Sequence, residues 1–321
     1  MILNNHGNVL VIGTHSGIFH CDEIVATAIL SLRYETEQEI KVLRSRDIKY
    51  LKDNCNILVD IGGEEFDHHQ KGGNGKRING ISYASAGLVW KAFGKSLIMK
   101  KYGNIFDDNE INNIFNMMDE NIIQKVDMED NGVSNIVHDF SFINKFLPTW
   151  VDDNPDYDIE FMKVLNITKD ILDSNIKNIV ATYLGRKDFV NRVNNVLYRY
   201  KNMLIIPTQT YPWVDMSIEY NEISEDKIDF VVFPYPSGGF AIQCVPPSFE
   251  NKFGQRIRLP KAWAGETKNL SKLSGVESAI LCHKGLFFAR AETLSDILLM
   301  GDIATYNNLL NKENNDMTRS R

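Results

Sequence analysis

Cysteine is scarce in this chain. Its 321 residues hold four, Cys21, Cys55, Cys244 and Cys282, and no two form a C-x-x-C pair. That excludes a zinc-knuckle pattern and a disulfide framework, and it points to a reducing compartment. No run of about 18 apolar residues occurs, which excludes a helical membrane span. A basic excess is missing too: 35 Lys+Arg stand against 42 Asp+Glu, a net charge of −7. Bulk charge therefore does not suit the protein to wrap duplex DNA. What is present, 43% hydrophobic and 24% charged residues, is the composition of a globular chain. Its length favours two domains, each able to bury a core.

The first half alternates strand and helix. Residues 9–13 (VLVIG) form a short apolar run ending in Gly, the pattern of a buried parallel strand. Residues 22–32 carry helical apolar spacing with Asp22 at the front. A brief strand at 41–43, a short helix at 48–54 and a buried strand at 56–61 complete an α/β rhythm with a mostly parallel sheet. Residues 70–80 are Gly-rich and basic, hence a loop. Helices are expected at 83–93, 109–125, 158–183 and 188–200, then strands at 228–234, 240–245, 279–282 and 286–290, and a closing helix at 293–299. The expected domains are 1–200, a smaller α/β domain over 201–310, and a polar tail over 311–321.

Four of the seven histidines fall in two clusters within the first 69 residues. The first is His15-Ser-Gly-Ile-Phe-His20-Cys-Asp22-Glu23, just past the first strand; the second is Asp67-His68-His69, shortly after Asp60 at the end of another. Carboxyl ends of parallel strands open onto one crevice, so His15, His20, Asp22, Asp60 and His68 can converge there. Imidazole and carboxylate ligands without thiolates suit Mn²⁺ or a similar divalent ion better than structural zinc. Asp22, Asp60, Asp67, Asp127 and Asp130 are more carboxylates than one ion needs; two ions about 3.5–4 Å apart sharing one carboxylate would account for them. Singly, each has a plainer explanation: Asp22 a helix cap, His15 a loop residue, Asp67-His68-His69 a polar turn. The repeated placement after strands favours the site. Cys21 has no base to activate it and is expected to pack.

The strings IGTHSGIFHCDE (12–23), VDIGGEEFDHHQ (59–70), YASAGLVWKAFG (83–94), VDMEDNGVS (126–134) and PTW (148–150) resemble the melanocyte proliferating gene family of metal-dependent exonucleases. That family is itself similar to the DHH phosphoesterase superfamily, with its RecJ-type exonucleases and family II inorganic pyrophosphatases. The resemblance extends to IQCVP (242–246), Arg256 and Trp263 in QRIRLPKAWAG, and SGVESAILCHKG (274–285). It implies a DHH-type metal-binding domain in which His15 and His20 hold one ion, Asp22 and His68 the other, and Asp60 bridges. His69 would face substrate phosphate, beside Asp60 in the catalytic set. Asp130, in Asp-Asn-Gly, or Asp127 one turn earlier would be the fourth-motif ligand, with Asp130 favoured. His20 stands where the superfamily has Asp. The implied activity is 3′-to-5′ hydrolysis of single-stranded RNA with two Mn²⁺ ions, Mg²⁺ or Co²⁺ being the substitutes. Cytoplasm is the expected location, since residues 1–7 lead into the first strand without a leader pattern; eukaryotic relatives are associated with nucleus and mitochondrion.

Residues 251–261 carry Lys252, Arg256, Arg258 and Lys261 without an acid, flanked by Phe249, Phe253 and Trp263. Basic groups beside aromatic faces are how single strands are held without sequence readout. Lys71, Lys76 and Arg77 offer further phosphate contacts. The superfamily's Gly-Gly-His is missing, and Phe288-Ala289-Arg290-Ala291 stands in its place, leaving Arg290 or His283 as substitutes. Two other readings stay open: a hydrolase of small phosphate compounds (short oligonucleotides, cyclic dinucleotides, pyrophosphate), and a non-catalytic metal-binding interaction protein. Monomer and homodimer are both compatible with the sequence.

Overall fold

The computed structural model describes residues 8–133 and 136–319; His6, Ser134 and the last two residues of the expected tail lie outside them. The chain divides into two compact units, Met1–Val180 and Ala181–Arg321. The division falls inside one helix, some twenty residues before the boundary expected from the sequence.

In the first unit, β1 (Val9–Thr14) lies between β2 (Glu39–Arg44) and β3 (Ile57–Leu58), all three parallel. Gly13 lets them close up, because a Cβ there would sit 2.6 Å from Leu58 Cδ2 and 2.7 Å from Cys55 Sγ. Between β1 and β2 runs α1 (Cys21–Tyr34), buried on every side from Cys21 to Leu32, the mark of a central core helix. α2 (Ile48–Asn54) is capped by Asp47, whose side chain accepts from the Tyr50 N–H at 3.0 Å. α3 (Ser85–Tyr102) packs on α1 and buries Trp90, which stacks on Phe115 of α4 (Asp108–Met118) with centroids 5.4 Å apart. A π-helical turn at Asp119–Ile123 separates α4 from α5 (Gln124–Asp130), so the single helix expected over 109–125 is three pieces. π turns are frequent beside functional sites, and this one carries Asp119 towards Arg77.

α6 (Tyr157–Val193) is one helix, not the expected two. Gly185, between the two expected ranges, is helical and serves close approach: a Cβ would lie 2.5 Å from Pro212 Cγ. The second unit is built on a six-stranded sheet in the order β4-β5-β6-β7-β9-β8. Its strands are β4 (Arg199–Tyr200), β5 (Met203–Ile205), β6 (Phe230–Pro234), β7 (Phe240–Cys244), β8 (Ala279–Cys282) and β9 (Phe288–Ala291). Only β5 and β6 pair in parallel. Both faces are covered, so β6 alternates between two cores rather than between core and water. Phe230 and Val232 face Ile297, Met300 and Ala304 of α9 (Leu294–Arg319). Val231 and Phe233 face Trp213 and Met216 of α7 (Trp213–Ile223). The short α8 (Leu270–Ser274) ends on Gly275, whose φ of +70° suits a left-handed cap. α9 runs far past the expected 293–299 and takes up most of the tail. Among the described residues no helix is long and apolar enough to cross a membrane.

Candidate metal centre

The site is assembled at the carboxyl ends of β1 and β3. His15 follows β1 directly and is nearly buried. The loop after it is held by two arginines past the end of β2 or within it: Arg44 donates to the Gly17 carbonyl at 2.8 Å and Arg46 to the Ser16 carbonyl at 3.0 Å. His20 precedes α1, whose first turn places Asp22 and Glu23 fully inside the protein. The positive end of that helix favours the two carboxylates. Glu23 Oε2 accepts from the His20 N–H at 2.8 Å, which leaves Oε1 facing the cluster. Asp60, just past β3, adopts φ +59°, a left-handed conformation that Asp tolerates better than most residues and that aims its carboxylate inward. Ser85 at the start of α3 donates its hydroxyl to Asp60 Oδ1 at 3.0 Å and its N–H to Asp22 Oδ2 at 3.2 Å.

The distances draw these groups into one centre around Asp60. His15 Nε2 is 3.1 Å from Glu23 Oε1 and 3.2 Å from Asp60 Oδ2. His68 Nε2 is 3.0 Å from Asp130 Oδ2, 3.3 Å from Asp60 Oδ1 and 3.6 Å from Asp22 Oδ2. Ligand atoms lie within 4.8 Å of one another in three overlapping sets: His15, His20, Glu23 and Asp60; Asp60, His68 and His69; His20, Asp22 and Asp130. Asp22 Oδ1, Glu23 Oε1, Asp60 Oδ2 and His68 Nε2 are buried without a hydrogen-bond partner among the described residues. Buried polar atoms without partners are costly, and they belong here to residues of the three sets. The donor set is oxygen and imidazole, so the residues fit divalent cations of the Mn²⁺ and Mg²⁺ kind.

The same crowding sets the protonation of the centre. Burial works to lower His15 and His68, but Asp60 and Glu23 raise His15 to about 9, and Asp130 and Asp60 raise His68 to about 10. Burial, then the charges of Asp60 and Asp130, pushes Asp22 well above its ordinary value. Asp60 goes the other way: burial would raise it, yet the His15 and His68 imidazoles beside it hold it well below the usual carboxylate range. With a chelator present, the protons on the two histidines stabilise the fold fully below about pH 6.5, and that contribution is lost as pH rises through about 9 and 10. A divalent ion must displace these protons, so Mn²⁺ affinity should rise with pH across that window. Adding Mn²⁺ to weakly buffered protein at pH 7.5 should release at least about one proton per chain. Binding without proton release would contradict this electrostatic picture.

Other sequence candidates land elsewhere. Asp127 is outside the centre: its fully buried carboxylate accepts from Arg77 Nη1 at 2.7 Å and the Gly87 N–H at 2.9 Å. Asp130 is the acid of that segment that reaches His68. Asp67 serves its own loop, accepting from the Gly63 N–H at 2.7 Å and the His69 N–H at 2.9 Å, and it meets His69 Nδ1 at 3.0 Å. Arg77 is no exposed phosphate grip, since Asp119 engages it with two bonds of 2.7 and 2.6 Å alongside Asp127. In the second unit, Trp263 is buried in the core with Met203 and Ile257, which leaves no face to stack a base. Arg256 is tied to Asp229 at 2.9 Å and Lys252 to Asp215 at 2.5 Å, while Arg258 and Lys261 are exposed. Arg290 donates to the Gly238 carbonyl at 2.8 Å and lies over the Tyr235 ring. His283 is exposed, with Nδ1 accepting from the Gly285 N–H at 3.0 Å.

Glu23 is a ligand candidate that its sequence context disguises. Its position three residues after the helix cap is a familiar capping signature, and one of its oxygens does serve that purpose. Cys21, Glu129 and His138 also cluster, but His138 Nδ1 accepts from the Phe140 N–H at 3.2 Å. The ring proton therefore sits on Nε2 and is shared with Glu129 Oε2 at 2.6 Å, which makes a hydrogen-bonded pair and not a ligand set. Burial first, and then Asp22, pushes the Cys21 thiol far up, so it is no nucleophile. The centre opens on a cleft of about 450 Å³ lined by His20, Cys21, His68, His69, Glu129, Asp130 and Asn144.

Residues 11–305 match the model of an uncharacterised protein family (UPF0160), MYG1_exonuc. The chain is 28% identical to a MYG1 exonuclease of Mus musculus, covering 90% of this chain and 83% of that one. The human MYG1 exonuclease is 27% identical, with 90% and 84% covered. A MYG1 protein of Chlamydia pneumoniae is 28% identical, with 87% and 90% covered. Among solved structures, RecJ from Thermus thermophilus in complex with Mn²⁺ overlaps 92% of this chain and 52% of its own, at 11% identity and a TM-score of 0.26.

Proposed function

Because the chain belongs to the UPF0160 family of MYG1 exonucleases, we propose that it is a metal-dependent nuclease that removes nucleotides from the 3′ end of single-stranded RNA at a centre of two Mn²⁺-class ions. The observation that carries the reading is Asp60, whose carboxylate belongs to two of the ligand sets at once. On this reading His15, His20 and Glu23 hold one ion, Asp22, His68 and Asp130 the other, and Asp60 bridges. Two such ions supply charge neutralisation for the phosphoryl group and an acidified water at neutral pH. The protein holds the carboxylates in place through Ser85 and the first turn of α1. Asp67 fixes His69 through Nδ1, which leaves Nε2 as the atom available to a substrate phosphate in the cleft. The four free cysteines suit a reducing location such as the cytoplasm.

A second reading, hydrolysis of short oligonucleotides or pyrophosphate, draws support from the basic segment itself. Two of its four cations are paired with acids and its tryptophan lies in the core, which weakens it as a polymer track. One assay separates the two. With Mn²⁺, 5′-labelled single-stranded RNA should shorten as a ladder of single-nucleotide steps while pyrophosphate and a cyclic dinucleotide persist. Cleavage confined to the small compounds would favour the second reading. Failure to cleave any phosphoester with Mn²⁺, Mg²⁺ or Co²⁺ would refute both.

A further inference from the structure

The second unit contains a polar residue where its sheet calls for an apolar one. Ala241 on β7 and Val245 just past its end are fully buried on the face covered by α7. Gln243 lies between them on that face, because side chains alternate along a strand. A primary amide offers two donors and an acceptor. No hydrogen bond of the Gln243 side chain is formed among the described residues, although the residue is partly buried. It faces a cavity of about 480 Å³ that is also lined by Gln209, Thr182, Arg186, Tyr211 and Trp213.

The charged groups that line this cavity, Asp215 and Arg186, both have partners: Asp215 is paired with Lys252 at 2.5 Å. Arg186 is held by Glu219 through bonds of 2.6 and 2.9 Å, and the Tyr211 hydroxyl donates to the Gly185 carbonyl at 2.9 Å. Gln243, Gln209 and Thr182 remain, each able both to donate and to accept. Neutral groups of mixed character beside the partly buried Tyr211 ring do not suit a metal ion or a phosphate. They suit a planar heterocycle whose edge alternates donors and acceptors, which is how amides read bases. The volume falls in the range of small-molecule sites, roughly 300–1,000 Å³.

We propose that this cavity binds a nucleobase, with Gln243 as its principal hydrogen-bonding group. The choice of a base over other heterocycles rests on the nuclease reading; the pocket itself does not. The base can come from an unpaired nucleotide of a strand or from a free nucleoside, and the test separates these sources. The intact chain with chelator present, so that nothing is cleaved, is titrated by calorimetry with adenosine, guanosine, cytidine, uridine and ribose, and with a short oligoribonucleotide. At least one nucleoside should bind saturably and ribose should not. Gln243→Leu should weaken that nucleoside about tenfold or more while keeping the wild-type Tm and Mn²⁺ affinity. Thr182→Val, further from the sheet, should weaken it less.

If Gln243→Leu also weakens the oligoribonucleotide, the base comes from the strand; if only the nucleoside is affected, the ligand is free. Absence of saturable binding by every nucleoside up to about 10 mM overturns the proposal, as does equal binding of ribose or an unchanged affinity in Gln243→Leu. A chain that binds nucleoside through Gln243 but cleaves no phosphodiester keeps the pocket and loses the nuclease reading. One that cleaves RNA with no nucleoside binding does the reverse.

Discussion

Asp60→Asn should lower metal-dependent hydrolysis by about 10³-fold, the scale of removing one electrostatic stabiliser from a transition state. Asn is the informative replacement. It has the volume of Asp, tolerates the left-handed φ of +59°, and keeps an oxygen to accept from Ser85. What it removes is the negative charge shared between the His15 and His68 sides of the centre. The far-UV circular dichroism should match wild type while kcat collapses and the Mn²⁺ needed for half-maximal activity rises. Wild-type kcat in a folded Asp60→Asn protein would remove Asp60 from the reaction.

Arg77→Met should destabilise the first unit by about 3–5 kcal/mol, because it strands a buried carboxylate. The Arg77 side chain is 6% exposed and Asp127 not at all, so water cannot take over the lost bonds. Gly87 belongs to the same arrangement: a Cβ there would lie 1.9 Å from Asp127 Oδ2, in the place the carboxylate occupies. Burial already pushes Asp127 up to about 7 against the pull of Arg77 and the N–H groups of Gly87 and Ala84. A carboxylate with a raised folded pKa binds more protons folded than unfolded, so its penalty grows as pH rises. Without Arg77 that penalty deepens. The loss in Tm, on the order of 10 °C, should be largest above pH 7 and shrink in acid. An unchanged Tm with a raised KM for RNA would mean that Arg77 contacts substrate after all.

The contrast between these two positions shows what is readable in a sequence. His15, Asp60 and His68 could be gathered on paper because one rule, that parallel strands open at their carboxyl ends, brings distant residues together without knowledge of side-chain partners. Arg77, Asp127 and Trp263 could not be placed that way. A basic residue in a Gly-rich loop looks solvated until the acids facing it are known, and Asp119, which meets Arg77, stands at the start of a π turn. Trp263 follows a basic run yet points into the core behind β6 and β7. Glu23 was hidden by doing two things, one oxygen capping α1 and the other meeting His15. The helices expected at 158–183 and 188–200 are one, and Gly185 between them serves contact with Pro212, which is set by tertiary packing.

Surplus acid takes on a different meaning in this light. Asp22, Glu23, Asp60 and Asp130 are part of a net charge of −7 that argued against a polyanionic substrate. Converging in one centre, they are a receptor for cations, and the cations would reverse the sign of the field where phosphate has to sit. The most direct test is the anomalous difference density of Mn²⁺ in crystals of the intact protein. Two peaks about 3.5–4 Å apart on either side of the Asp60 carboxylate are expected, one near His15 and Glu23 and the other near His68 and Asp130. A single peak, or peaks beyond reach of Asp60, would contradict a two-ion centre.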